Sequence, residues 1–145
     1  MTAIGSDHAG VEFKEKIKTL LGSMGHDLRD LGTTGKESTD YPDWGHAVAE
    51  MVSSGKADRG VLICGTGIGM SIVANRHPGV RAAVCESATA ARLARQHNDA
   101  NILCIGERLT GWEQAADIVK VFFSTSFDGG ERHVRRVGKM EIGEK

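Results

Sequence analysis

Residues able to do chemistry are concentrated in Val61-Leu62-Ile63-Cys64-Gly65-Thr66-Gly67-Ile68-Gly69-Met70-Ser71. A run suited to a buried strand ends on a cysteine, passes three alternating glycines and enters the apolar segment Ile72-Val73-Ala74. Such a strand–loop–helix junction turns backbone N–H groups toward one point, where they can hold an anion. A thiol on the lip of that loop sits where its anionic form is favoured, because a helix N-terminus lowers a thiol pKa from about 8.5 toward neutrality. The thiolate can then take a proton from carbon. Cys64 is therefore a candidate base, and Gly65, Thr66, Gly67, Ile68 and Gly69 a candidate anion cradle. The competing reading is that the glycines serve only a tight turn and that Cys64 fills core space. That second reading is the one adopted for Cys85 and Cys104, which lie in apolar strands.

The loop does not match the better-known nucleotide signatures. G-x-G-x-x-G fails because Met70 stands where the last glycine belongs, and a P-loop needs a G-K-[ST] that is absent. A flavodoxin-like nucleotide-binding module stays open as an alternative. Three further clusters carry reactive groups. Asp7-His8 follows the first strand and is either a polar site pair or an N-cap for the first helix. His97-Asn98-Asp99 falls between a helix and the fifth strand. As a plain helix end it would set His97 against the helix dipole and use Asn98 for the left-handed turn. Arg132-His133-Val134-Arg135-Arg136, if helical, places Arg132 and Arg136 on one face as a two-pronged phosphate site, and otherwise is a solvated basic tail. Asp7, His8, Cys64 and His97 lack the compact spacing of a zinc site, so no metal is assigned.

The elements that must position these groups alternate strand and helix along the chain. Thr2–Ser6 reads as a strand, and Phe13, Ile17, Leu20, Leu21 and Met24 recur at helical spacing up to a Gly25 C-cap. A short strand around Leu28 and Leu31 stops at Gly32, and Pro42, Trp44, Val48 and Met51 mark a second helix. Arg59–Cys64 is the third strand and Val80–Cys85 the fourth. A helix from about Ser87 to Gln96 leads to a fifth strand at Asn101–Gly106. Trp112, Ala115, Ala116, Val119, Phe122 and Phe123 share the face of a last strong helix. Five alternations predict the α/β class: a three-layer α/β/α Rossmann-like domain with a five-stranded parallel sheet. Ligands of such sheets collect beyond the carboxyl ends of the strands, where Asp7-His8, Cys64-Gly65 and Gly106-Glu107-Arg108 would share one crevice.

Length and charge narrow the class. The 145 residues suit one domain, 1–145, with a C-terminal arm from about 125. With 18 Lys plus Arg against 19 Asp plus Glu, nothing suggests nucleic acid or an anionic membrane as partner. Three cysteines without C-x-x-C spacing fit reduced thiols in the cytoplasm. Neither a signal-peptide core nor a membrane-length apolar run is present in the sequence.

Five motifs occur in a fixed order: Ser6-Asp7-His8-Ala9-Gly10 with Thr39-Asp40-Tyr41-Pro42; Ile63-Cys64-Gly65-Thr66-Gly67-Ile68-Gly69 with Ala74-Asn75; Arg95-Gln96-His97-Asn98-Asp99-Ala100-Asn101; Gly106-Glu107-Arg108; and Arg132-His133 through Arg136-Val137. Together they resemble the ribose-5-phosphate isomerase B family, which includes allose-6-phosphate and galactose-6-phosphate isomerases. The resemblance spans nearly the whole chain. It implies an aldose–ketose isomerase in which Cys64 shuttles a proton between the first two sugar carbons. Relatives that have serine there carry a glutamate base at the position of Met70, so this chain falls in the thiol branch. By the same resemblance, the amides of Gly65 to Gly69 stabilise an enediolate, and His97 opens the furanose ring. Thr66 helps orientation near the base, and Asp7 holds sugar hydroxyls or assists ring opening. His8, Arg132 and Arg136, with Arg108, form the phosphate clamp. Asn98 contacts the reacting end of the sugar, and Tyr41 lines the pocket.

The implied substrate is a phosphorylated sugar, ribose 5-phosphate first and a six- or four-carbon sugar phosphate as the alternative, with no cofactor. A non-catalytic sugar-phosphate or nucleotide-binding module is the other class, and the joint presence of Cys64 and His97 argues against it. The resemblance also implies homodimers, sometimes paired into tetramers, whose sites draw on two subunits. Two departures stand out. Glu131 separates Gly129-Gly130 from Arg132, and the first strand is so short that it is expected to pair weakly.

Overall fold

Continuous apolar runs become the middle of one sheet in the computed structural model, which describes residues 1–143. Its strands are β1 (Thr2–Ser6), β2 (Leu28–Asp30), β3 (Arg59–Cys64), β4 (Ala82–Val84) and β5 (Ile102–Gly106). All pair in parallel, in the order β2-β1-β3-β5-β4. The helices are α1 (Val11–Ser23), α2 (Tyr41–Ser53), α3 (Ile68–Ala74), α4 (Ala88–Asn98), α5 (Trp112–Ser124) and α6 (Glu131–Gly138).

Side chains of a strand alternate between faces, and this alternation creates two cores. Ala3, Leu62, Cys64, Ile102 and Cys104 meet Val48, Ala49 and Val52 of α2 and Met70 and Ala74 of α3. Ile4, Val61, Ile63, Leu103 and Ile105 meet α1, α4 and α5 through Phe13, Ile17, Leu21, Ala91, Ala94, Ile118, Val119 and Phe122. The result is the expected three-layer α/β/α Rossmann-like arrangement. It orients every strand so that its carboxyl end points to the same edge.

Four local expectations need correction. β1 does not pair weakly: it is bonded on both sides, to β2 from Thr2 to Ile4 and to β3 from Thr2 to Ser6. β4 is confined to Ala82–Val84 because the preceding residues are still in a turn. There Val80 N–H donates to the His77 carbonyl at 3.2 Å and Arg81 N–H to Asn101 Oδ1 at 2.7 Å. α4 starts after its Ser87 cap but runs on to Asn98, and the left-handed residue is Asp99, φ 47°, not Asn98. Asp99 is held there by Arg81 and Arg95, at 3.2 and 2.9 Å. Asp7 caps not α1 but a 3-10 turn over His8–Gly10, its Oδ1 accepting from Ala9 N–H at 3.0 Å.

Candidate active site

The carboxyl edge collects the ends of β1, β3 and β5, and backbone hydrogen bonds fasten the three loops together. Asp7 N–H donates to the Ile63 carbonyl at 3.3 Å, Glu107 N–H to the Cys64 carbonyl at 2.9 Å, and Arg108 N–H to the Gly65 carbonyl at 3.0 Å. Cys64 ends β3 and is only 6% exposed. The loop after it folds back over the sulfur, so that Gly67 N–H donates to Cys64 Sγ at 3.1 Å. Gly67 adopts φ +77°, and a Cβ there would lie 3.0 Å from the Ile105 carbonyl carbon. Only glycine satisfies both the turn and the close approach.

The loop amides divide into two sets. Those of Gly67 and Ile68 are used internally, by the sulfur and by Thr66 Oγ1 at 3.2 Å. Those of Gly65, Thr66, Gly69 and Met70 have no acceptor among the described residues. The Arg108 side chain lies over Gly65, and the Tyr41 ring lies over Gly69. His8 and Arg108 share a cavity of ≈ 280 Å³ with Ala9, Glu12, Lys36 and Glu107. A thiol, free amides and cationic side chains thus meet at one edge, an arrangement able to take an anion and move a proton.

The other two cysteines lack such surroundings. Burial pushes the Cys85 thiol up to about 11. Cys104 is raised further still, by burial first and then by the neighbouring Cys64 and Cys85. Three residues of the edge were not assigned a role from the sequence. Glu107 anchors the start of α1 by accepting from Phe13 N–H at 2.8 Å. Lys36 pairs with Glu12 at 2.8 Å and, by that hydrogen bond, holds its carboxyl below the usual range. Ser6 Oγ is buried at the end of β1 with no hydrogen-bond partner among the described residues. Ser6 and Glu107 lay within motifs without a role of their own, and Lys36 lay outside them.

His97, Asn98, Arg132 and Arg136 are elsewhere. A helix that follows a strand runs back along the sheet, so the last turn of α4 reaches the amino edge, about 16 Å of helix away from its start. α5 returns to the same amino edge, where Arg59 at the start of β3 donates to the Phe122 carbonyl at 3.0 Å. From there Asp128 N–H donates to the Gln96 carbonyl at 3.0 Å, and the His133 ring stacks on His97 with centroids 4.6 Å apart. α6 is therefore bound to the end of α4, with Arg132 and Arg136 one turn apart and exposed. The larger cavity, ≈ 550 Å³, also opens at this edge, between Asn75, Arg81, Asn98 and Met140. One chain holds two separate groups: Asp7, His8, Tyr41, Cys64 to Gly69 and Arg108 at the carboxyl edge, and His97, Asn98, Arg132 and Arg136 at the amino edge.

Fold and edge chemistry define a three-layer α/β protein with a thiol-bearing, anion-holding candidate site. A family model described as Ribose/Galactose Isomerase matches residues 2–140. The chain belongs to that family, and with it to the aldose–ketose isomerases. It is 45% identical over 135 residues to ribose-5-phosphate isomerase B of Escherichia coli (strain K12), covering 93% of this chain and 90% of that one. Among solved structures it is similar to ribose-5-phosphate isomerase B of Clostridium thermocellum, with a TM-score of 0.92 and 54% identity over 95% of this chain and 93% of that one. The type B ribose 5-phosphate isomerase of Trypanosoma brucei gives a TM-score of 0.95 at 44% identity, over 99% and 97% of the two chains.

Proposed function

We propose that the protein interconverts ribose 5-phosphate and ribulose 5-phosphate through an enediolate, in the cytoplasm, with Cys64 as the base. The Cys64 thiolate removes the C2 proton of the open-chain aldose. The released electron pair forms the C1–C2 double bond, and the C1 oxygen takes the negative charge. A proton passes from the C2 hydroxyl to the C1 oxygen, and the thiol returns its proton to C1. The free amides of Gly65, Thr66 and Gly69 face the developing charge as an oxyanion hole. Thr66 orients the reacting end, Asp7 holds hydroxyls, Tyr41 lines the pocket, and His8 with Arg108 takes the phosphate. The reading is carried by one observation, the Gly67 N–H···Sγ contact of 3.1 Å, which sets a backbone donor on the sulfur at the mouth of the glycine loop.

The second group completes the site from another copy of the chain. His97 moves the proton between the ring oxygen and the anomeric hydroxyl, Asn98 meets the reacting end, and Arg132 and Arg136 complete the phosphate clamp. A two-fold pairing that sets the carboxyl edge of one copy against the α4–α6 corner of the other creates two complete sites per dimer. The test is conversion of ribose 5-phosphate, with allose 6-phosphate and galactose 6-phosphate assayed in parallel. Cys64→Ala is expected to lower conversion by about 10²–10⁴-fold while phosphate-ester binding persists. Equal conversion in both proteins would remove Cys64 from the reaction, and a faster six-carbon reaction would reassign the substrate.

A further inference from the structure

We infer that Trp44 and Thr39 are positioning residues that hold the His8 imidazole as the neutral Nε2–H tautomer, with that N–H as its donor to the substrate phosphate. The backbone N–H of Thr39 lies 3.1 Å from His8 Nδ1. An amide N–H can only donate, so Nδ1 is the acceptor nitrogen, and in a neutral imidazole the hydrogen then resides on Nε2. A proton on Nδ1 would set two donors against each other. Nε2–H is the one ring group left for a ligand in the cavity that His8 shares with Lys36 and Arg108.

What keeps the Thr39 amide in place is Trp44. Residues 31–40 form no helix or strand, and residues 34–38 are exposed, so the segment has little of its own to hold Thr39. Trp44, on the first turn of α2, grips both of its ends. Its Nε1–H donates to Thr39 Oγ1 at 3.0 Å. Its six-membered ring packs on Gly32. Gly32 is itself tied to β1, its carbonyl accepting from Ser6 N–H at 2.7 Å. The indole thus fixes the far end of the loop against a fixed near end, and the Thr39 amide reports that position to the imidazole. Of the three residues in this relay, His8 lines the cavity and Thr39 and Trp44 do not.

The tautomer is a property of the unliganded protein. The phosphate contact rests on the isomerase reading. Two measurements separate them. Nitrogen NMR of the His8 side chain, assigned with His8→Gln, should show a single Nε2–H tautomer in the unaltered protein and a mixture in Trp44→Phe, which keeps an aromatic side chain and loses the N–H. Thr39→Val, which loses the hydroxyl acceptor, should match Trp44→Phe, and Thr39→Ser should restore the single tautomer. In the isomerase assay, Trp44→Phe and Thr39→Val should raise KM for ribose 5-phosphate about two- to tenfold, the worth of one hydrogen bond, and leave kcat within about twofold. An Nδ1–H ring in the unaltered protein, or one tautomer in all four proteins, would overturn the relay. So would a fall in kcat at constant KM. An Nε2–H ring in a protein that converts no sugar phosphate would leave the relay standing and overturn the proposed reaction instead.

Discussion

Cys64, Cys85 and Cys104 are all buried and free, on or just past three neighbouring strands, yet only Cys64 has an amide aimed at its sulfur. Cys85 faces the Ala83 carbonyl at 3.9 Å, an acceptor that offers nothing to a thiolate. The difference comes from two residues of chain geometry, the turn at Gly67 and the strand that crosses beneath it. Gly106 makes that crossing possible, since a Cβ there would lie 2.5 Å from the Thr66 carbonyl carbon. Gly106→Ala should therefore displace the loop, lowering conversion and lowering stability by about 1–3 kcal/mol in urea unfolding. Cys64 and its glycines were legible in the sequence because their relation is local. The acceptor role of His8 Nδ1 was not, because its donor at Thr39 is brought by a loop without periodicity.

Among the elements, β2 depends on a buried cation. Lys14 of α1 is fully buried and bonds both oxygens of Asp30 at 2.8 and 2.7 Å, while Lys18 adds a contact at 2.9 Å. Burial works against the Asp30 carboxylate, but the hydrogen bonds from Lys14, Lys18 and the Gly32 amide outweigh it and hold its pKa below the usual range. A depressed carboxyl pKa contributes stability that is present above the ordinary value and is lost as pH falls through the folded-state value. Acid unfolding below about pH 4 should thus be partly relieved of its pH dependence in Asp30→Asn. At neutral pH the same variant leaves the buried Lys14 with only the exposed Glu15 carboxylate, at 3.8 Å, and should cost about 3–5 kcal/mol by urea unfolding. Helical spacing made α1, α2 and α5 legible. The ends of β4 and α4 were not, because Asn101, Arg81 and Arg95 decide them through contacts that have no sequence period.

At the scale of the whole molecule, the same chain direction that gathers Cys64 and His8 sends His97 and Arg132 to the opposite edge. The alternation of strand and helix made the carboxyl edge legible, but the motifs alone did not show which of them fall outside it. A site shared between copies predicts complementation. Cys64→Ala and His97→Ala, each inactive alone, should regain about a quarter of full conversion when unfolded and refolded together at equal amounts, because hybrid dimers hold one unaltered site. Mixtures as inactive as their parents would place the whole reaction within one chain.

Both rims of the sheet, β2 and β4, are only three residues long, and Arg29 and Asp30 add charge to the first. Rims this short present an incoming chain with few unpaired N–H and C=O groups, so the sheet is a poor template for strand addition. Growth of the sheet into fibrils or continuous ribbons is thereby discouraged at either side. The proposed pairing of copies therefore does not run through the sheet, since it uses the carboxyl edge and the α4–α6 corner.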